Sequence, residues 1–165
     1  MIRFQVQGDP KGQPRPRAFA RRMGDKFVAR VFEAGTAEGW KSLIASEARV
    51  YAPEQPISGP VSVRLIFSFR RPQSHFRTGK NAGELRPDAP YYHTSKPDND
   101  NLEKAVFDAL TQIGLFWDDD KQIVHNETVK IYGKAGGVVI EIKPMAIPRP
   151  GEPKSVVVST LEDQG

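Results

Sequence analysis

The stretch from 98 to 123 constrains this chain more than any other. Leu102, Ala105, Val106, Ala109, Leu110 and Ile113 recur at i, i+3, i+4, i+7, i+8 and i+11, one stripe of an α-helix over 101–113 that Gly114 ends. A stripe of that kind has to be laid on another element, so the chain must fold in packed layers. Aspartates stand at both ends of the helix: Asp98 and Asp100 before it, Asp118, Asp119 and Asp120 after it. About four helical turns separate the two clusters.

The rest of the chain is basic, and the segregation matters more than the total. The formal net charge is +4 and the pI near 9.4. Residues 11–30 carry seven basic residues (Lys11, Arg15, Arg17, Arg21, Arg22, Lys26, Arg30) against one acid, Asp25. A second basic patch runs through Arg70, Arg71, Arg77, Lys80 and Arg86, whereas 98–127 holds eight acids and only two bases, Lys104 and Lys121. Such a pattern suits a metal-dependent enzyme acting on a polyanion: carboxylates hold a hard cation, and Lys and Arg hold phosphates. The alternative is a plain solvated surface.

At 165 residues one domain is expected, here over 1–145, with a flexible tail over 146–165 rich in proline (Pro148, Pro150, Pro153). The absence of cysteine excludes disulfides and thiolate metal sites but leaves a carboxylate site open. No apolar stretch is long enough to span a bilayer, and Met1–Gln7 lacks the hydrophobic region of a signal peptide, so a cytoplasmic location is expected.

Elsewhere, period-two alternation predicts strands over 2–7, 61–69, 123–132 and 138–142, the last two joined as a hairpin through 133–137. Pro10 to Arg22 reads as a basic loop, 36–50 as a second helix, and 71–95 as a long functional loop in which Tyr91 and Tyr92 could stack on unpaired bases. The order β-α-β-α-β-β predicts an α+β domain: a small mixed sheet with two main helices packed on it.

Asp98 and Asp100 can share a cation whether their segment is extended or already turning into the helix. Lys104, one turn beyond Asp100, could meet charge growing on a reacting phosphate. Structural readings stand beside these. Asp100 with Glu103 fits a capping box, Asp100–Lys104 an i, i+4 ion pair, and Asp118–Asp120 a solvated turn. Asp108 reads as a salt-bridge partner of Lys104. An EF-hand is excluded because the glycine it needs at its sixth position is missing, and His75, His93 and His125 lack metal-ligand spacing.

The block Asp98-Asn99-Asp100-Asn101-Leu102-Glu103-Lys104-Ala105-Val106-Phe107-Asp108-Ala109-Leu110, followed by Asp119-Asp120-Lys121-Gln122-Ile123-Val124, resembles the RusA family of Holliday-junction resolvases, often encoded by phages and prophages. Val129-Lys130, Gly136-Gly137 and the basic opening Pro10-Lys11-Gly12-Gln13-Pro14-Arg15-Pro16-Arg17 fit it as well. The resemblance is strong over 96–143, weaker over 1–70 and absent in the tail. It implies a homodimer that binds branched DNA, a four-way junction, and nicks two opposing strands symmetrically with Mg²⁺; Mn²⁺ is the expected substitute ion.

The same resemblance implies Asp98, Asp100 and Asp120 as catalytic metal ligands, with Asp119 the alternate because the extra Asp118 blurs the register, and Lys104 as the catalytic lysine. Phosphate contacts are expected from Lys11, Arg15, Arg17, Arg21, Arg22, Arg70, Arg71, Arg77 and Lys96. The long 71–95 loop departs from the compact family pattern. A non-catalytic branched-DNA-binding module is the competing expectation.

Overall fold

The computed structural model describes residues 1–13, 17–23, 26–32 and 37–147, with side chains described over 1–13 and 37–147. Arg15 and the expected tail from 148 onward lie outside the described residues, as do the side chains of Arg17, Arg21 and Arg22.

Among the described residues eight helices and strands follow one another: β1 (Ile2–Gln7), β2 (Arg17–Met23), β3 (Lys26–Phe32), α1 (Glu38–Ala48), β4 (Val61–Arg70), α2 (Asn99–Ile113), β5 (Ile123–Gly133) and β6 (Gly137–Pro144). The architecture is α+β. A four-stranded sheet in the order β1-β6-β4-β5 carries the two helices, and β2 with β3 forms a separate two-stranded sheet. The expected basic loop over 10–22 is therefore corrected from 17 onward. Arg17 pairs opposite Phe32 and Met23 opposite Lys26, because the β-branched and aromatic run Phe27-Val28-Ala29-Arg30-Val31-Phe32 offers a strand partner.

One sheet face is apolar because every second residue is. Phe4 and Val6 of β1, Val61, Val63, Leu65 and Phe67 of β4, and Val138, Ile140 and Ile142 of β6 are buried in the same cluster as Trp40, Ile44 and Ala48 of α1 and Leu102, Ala105, Val106, Ala109 and Leu110 of α2. Each fully buried large side chain contributes about 1.5–3 kcal/mol over leaving it in water. The opposite sheet face bears a row of alternating charge, Arg3–Glu141–Arg64–Glu127, with ion pairs of 3.0 Å (Arg3–Glu141) and 3.3 Å (Arg64–Glu127).

The β5–β6 hairpin is not formed. β5 pairs parallel with β4, and β6 pairs antiparallel with the other edge of β4, which lies between them. The crossover through α2 delivers β5 parallel to β4, so β6 must take the remaining edge to bury Ile140 and Ile142. Residues 134–136 step over the end of β4, where Ser68 Oγ donates to the Ala135 carbonyl at 2.7 Å. A Cβ on Gly136 would lie 2.6 Å from the Gly8 carbonyl oxygen, so this crossing tolerates only glycine there.

α2 begins two residues earlier than its apolar stripe indicates. Asp98 is the N-cap residue, and Gly114 closes the helix in the left-handed region at φ 62°. The capping box expected at Asp100/Glu103 is thus corrected: Asp100 lies within the first turn, where the helix dipole favours an acid. A capping box exists instead at Asp119 and Gln122, at the 3₁₀ turn Asp120–Gln122 that enters β5.

Candidate active site

Asp98 and Asp100 come together, exposed, at the start of α2. The Asp98 side chain makes no capping bond to the helix, so its carboxylate is not consumed by the backbone. The preceding segment is held from across the sheet. Lys130 of β5 donates through Nζ to the Ser95 carbonyl at 2.9 Å and the Pro97 carbonyl at 2.8 Å. These two carbonyls flank Lys96, whose peptide bond to Pro97 is cis and whose side chain is exposed.

The basic N-terminal segment docks on the same helix end. Gln13 N–H donates to the Asn101 carbonyl at 2.8 Å. A Cβ on Gly12 would lie 2.9 Å from Asn101 Cβ and 3.0 Å from Pro97 Cβ, so glycine is what permits the approach. Lys11, next to Gly12 in the chain, is exposed. Lys104 follows Asp100 by one turn and pairs with Asp108 Oδ1 at 3.3 Å, as expected of Asp108. Asp100, Lys104 and Asp108 share one helix face.

The second aspartate cluster lies elsewhere. α2 is 15 residues long, about 22 Å from end to end. Its start is tied to Lys130, whereas the turn Asp120–Gln122 immediately precedes Ile123, seven strand residues or about 23 Å further back along β5. Asp120 therefore sits near the far end of α2, where Trp117 Nε1 donates to Thr111 Oγ1 at 2.7 Å. Among the described residues no three His, Cys, Asp or Glu side chains converge to hold one metal ion.

Asp119 and Asp120 are not equivalent. Asp119 Oδ1 accepts the Lys121 N–H at 2.9 Å, and the Lys121 ammonium approaches its other oxygen at 3.3 Å. The backbone bond from Lys121, then its side chain, holds the Asp119 carboxyl below the usual carboxylate range. Gln122 locks the turn: its Oε1 accepts from the Asp118 N–H (2.9 Å) and Asp119 N–H (3.3 Å), and its Nε2 donates to the Ile57 (2.7 Å) and Gly59 (3.0 Å) carbonyls. Asp119 is occupied in shaping the turn, and Asp120 projects from it exposed.

Of the expected phosphate-binding residues, Arg70 and Lys96 are exposed like Lys11. Arg71 is engaged inside the 71–95 loop, donating to the Pro90 carbonyl at 2.7 Å with its guanidinium 5.6 Å from the Tyr132 ring centre. Arg77 pairs with Glu84 at 3.0 Å. His93 is buried and stacked on Phe69 at 3.9 Å. Burial first, and the Lys130 charge second, push its pKa below the ordinary imidazole value. Lys130, Gly12, Gln13 and Gln122 stand in the family-like blocks of the sequence, but the positioning role of each is visible only in the structure. Only Gln122 left a local signal, its place three residues after Asp119.

The start of α2 thus presents two exposed carboxylates, with exposed Lys96 just before them and Lys104 one turn beyond. The comparisons make the class specific. The model of the endodeoxyribonuclease RusA family matches residues 7–143. The chain is 34% identical over 151 residues to the uncharacterized protein YqaN of Bacillus subtilis (strain 168), covering 86% of this chain and 95% of that one. It is 55% identical over 40 residues to the crossover junction endodeoxyribonuclease RusA of Escherichia coli (strain K12), 24% of this chain and 32% of that protein. The same identity over 40 residues relates it to the RusA of Enterobacteria phage 82. The chain belongs to the RusA endodeoxyribonuclease family, and is thus an enzyme, a hydrolase of DNA phosphodiester bonds. Among the described residues no helix is long and apolar enough to cross a membrane.

Proposed function

We propose that this protein is a Mg²⁺-dependent, structure-specific endodeoxyribonuclease that acts in the cytoplasm as a homodimer and resolves four-way DNA junctions by symmetric paired nicks. The observation that carries this reading is the Asp98/Asp100 pair, held at the start of α2 by Lys130 and flanked by Lys11, Lys96 and Lys104.

Two exposed carboxylates fit a hard divalent cation, which commonly takes one or two carboxylates together with waters and substrate phosphate. Bound Mg²⁺, or Mn²⁺ in its place, would polarise the scissile phosphate and ease ionisation of the attacking water. Asp98 and Asp100 would hold that cation in this reading. Lys104, paired with Asp108, would offer an ammonium to the charge that grows on the phosphate oxygens and the leaving oxygen. Lys11, Lys96, Arg70 and the basic residues Arg15, Arg17, Arg21, Arg22, Arg71 and Arg77 supply phosphate attraction, so affinity falls steeply with salt.

Asp120 would be the third ligand in this reading, supplied by a second copy of the chain. Within one chain it stands roughly 20 Å from Asp98, too far to share an ion of about 2 Å bond length. A two-fold pairing would set Asp120 of each copy against Asp98 and Asp100 of the other, creating two identical sites for two symmetric nicks.

The test uses a labelled four-way junction and a matched linear duplex, each with Mg²⁺ or EDTA. Paired nicks in the junction alone, absent in EDTA and in Asp100→Asn, are the expected result. Junction binding with no cut under any divalent metal would leave the competing reading, a branched-DNA-binding module.

A further inference from the structure

The 71–95 excursion is an ordered extension that returns to β5 just before the aspartates. Arg71 N–H donates to the Gly133 carbonyl (3.1 Å) at its start; at its end Tyr132 N–H donates to the Tyr91 carbonyl (2.9 Å) and His93 N–H to the Lys130 carbonyl (3.0 Å). Its side-chain anchors are Arg71 and His75 against Tyr132, the latter at 4.7 Å, and His93 stacked on Phe69. The rings of Tyr91 and Tyr92 take no part in that anchoring. They stand 59% and 61% exposed, edge to face at 5.0 Å and 85°.

A pair of tyrosines held out by a fixed backbone presents a ring face to solvent at little further entropic cost. The location gives the face an occupant. Asp98 follows Tyr92 by six residues, so at full extension the two lie at most about 22 Å apart, roughly six nucleotide steps along a strand. Between them stands exposed Lys96, and exposed Arg70 and Lys134 mark the same end of β4 and β5, since Arg70 lies opposite Gly133. None of these three cations forms an ion pair with another described residue. Phosphate attraction beside an open aromatic face is how proteins grip unpaired bases, whatever their identity. A continuous duplex keeps its bases stacked and offers nothing to such a platform, whereas at a branch point stacking is interrupted and a base can be turned out when the protein binds.

Resting on the nuclease reading above, we propose that Tyr91 and Tyr92 form a stacking platform for an unpaired base of the DNA substrate next to the Asp98/Asp100 site, and so set the preference for branched over continuous DNA.

The experiment compares the full-length protein with Tyr91→Ala/Tyr92→Ala and Tyr91→Phe/Tyr92→Phe. Each is titrated in Ca²⁺ against a four-way junction with 2-aminopurine at the branch and against a linear duplex, and then assayed for cleavage in Mg²⁺. The parent and the Phe variant should change the 2-aminopurine emission on binding. The Ala variant should lose that signal and bind the junction about tenfold or more weakly, with duplex affinity unchanged. Circular dichroism and a thermal melt confirm that the exposed substitutions leave the fold intact. Equal junction affinity and an unchanged emission signal in the Ala variant, with the parent cutting the junction, overturn the platform alone. A parent that binds the junction with the emission change but never cuts overturns the nuclease reading and supports the platform. A parent that binds no DNA overturns both.

Discussion

The Lys130 ammonium lies 2.8 Å from the carbonyl oxygen of Pro97 and so ties the middle of the sheet's edge strand to the residue before Asp98. With the second bond to Ser95 it fixes the backbone on both sides of Lys96. Two charge-assisted bonds are lost in Lys130→Met, which should lower stability by about 2 kcal/mol. The misplaced Asp98 should reduce cleavage on the order of a hundredfold while junction affinity is kept. Urea denaturation and single-turnover cleavage check the two effects, and Lys130→Arg should recover part of both.

Placing the two aspartate clusters at opposite ends of α2 makes a complementation test decisive. Asp98→Asn/Asp100→Asn and Asp120→Asn should each be inactive alone. Mixed dimers should regain one site, because one copy supplies Asp98 and Asp100 and the other Asp120. The product is a single nick in place of the paired cut, read on a plasmid-borne cruciform. No activity on mixing, with dimers shown to exchange, would sink the shared site.

Asp119 and Asp120 should separate by function. Asp119→Ala removes the acceptor that shapes the turn and should lower the melting temperature while cleavage persists. Asp120→Ala should leave the melting temperature unchanged and abolish Mg²⁺-dependent cleavage. The opposite pattern would make Asp119 the ligand.

Gly12→Ala should loosen the docking of the basic segment, since the new Cβ would press on Asn101 and Pro97. Cleavage and junction affinity should fall together, with a weaker dependence of affinity on salt as Lys11 withdraws. Filter binding across a salt series measures the slope.

His93 adds a pH dependence whose sign follows from its buried stack. Its folded pKa lies below the ordinary value of 6.5, so the folded state favours neutral imidazole. Its contribution to stability is whole above about pH 6.5 and is lost as pH falls from there through the lower folded pKa. Denaturation midpoints measured from pH 7.5 to 5 should decline, and His93→Phe should flatten the decline.

Much of the fold was legible along the chain because its cause is local. The stripe Leu102–Ile113 needed only helical period, and the alternations in β1, β4 and β6 only period two, to announce which faces are buried. The clustering of Asp98 and Asp100 was visible for the same reason. β2 and β3 were missed because the prolines and arginines of 10–22 masked an alternation that a later run completes. The hairpin error at β5 and β6 has a different origin: a short glycine-rich connection looks alike whether its strands pair with each other or with a third between them.

What the sequence determined by itself is therefore the two helices and the strands of the four-stranded sheet, the apolar face of each, and the residue types able to hold a cation and a phosphate. Tertiary structure alone decided which of them meet. The parallel β4–β5 register brings Lys130 beneath Pro97, and the return from β1 lays Gly12 and Gln13 on Asn101. The length of α2 holds Asp120 away from Asp98. These are contacts between residues far apart in the chain, chosen by how sheet and helices bury their apolar faces together, and no local period encodes that choice.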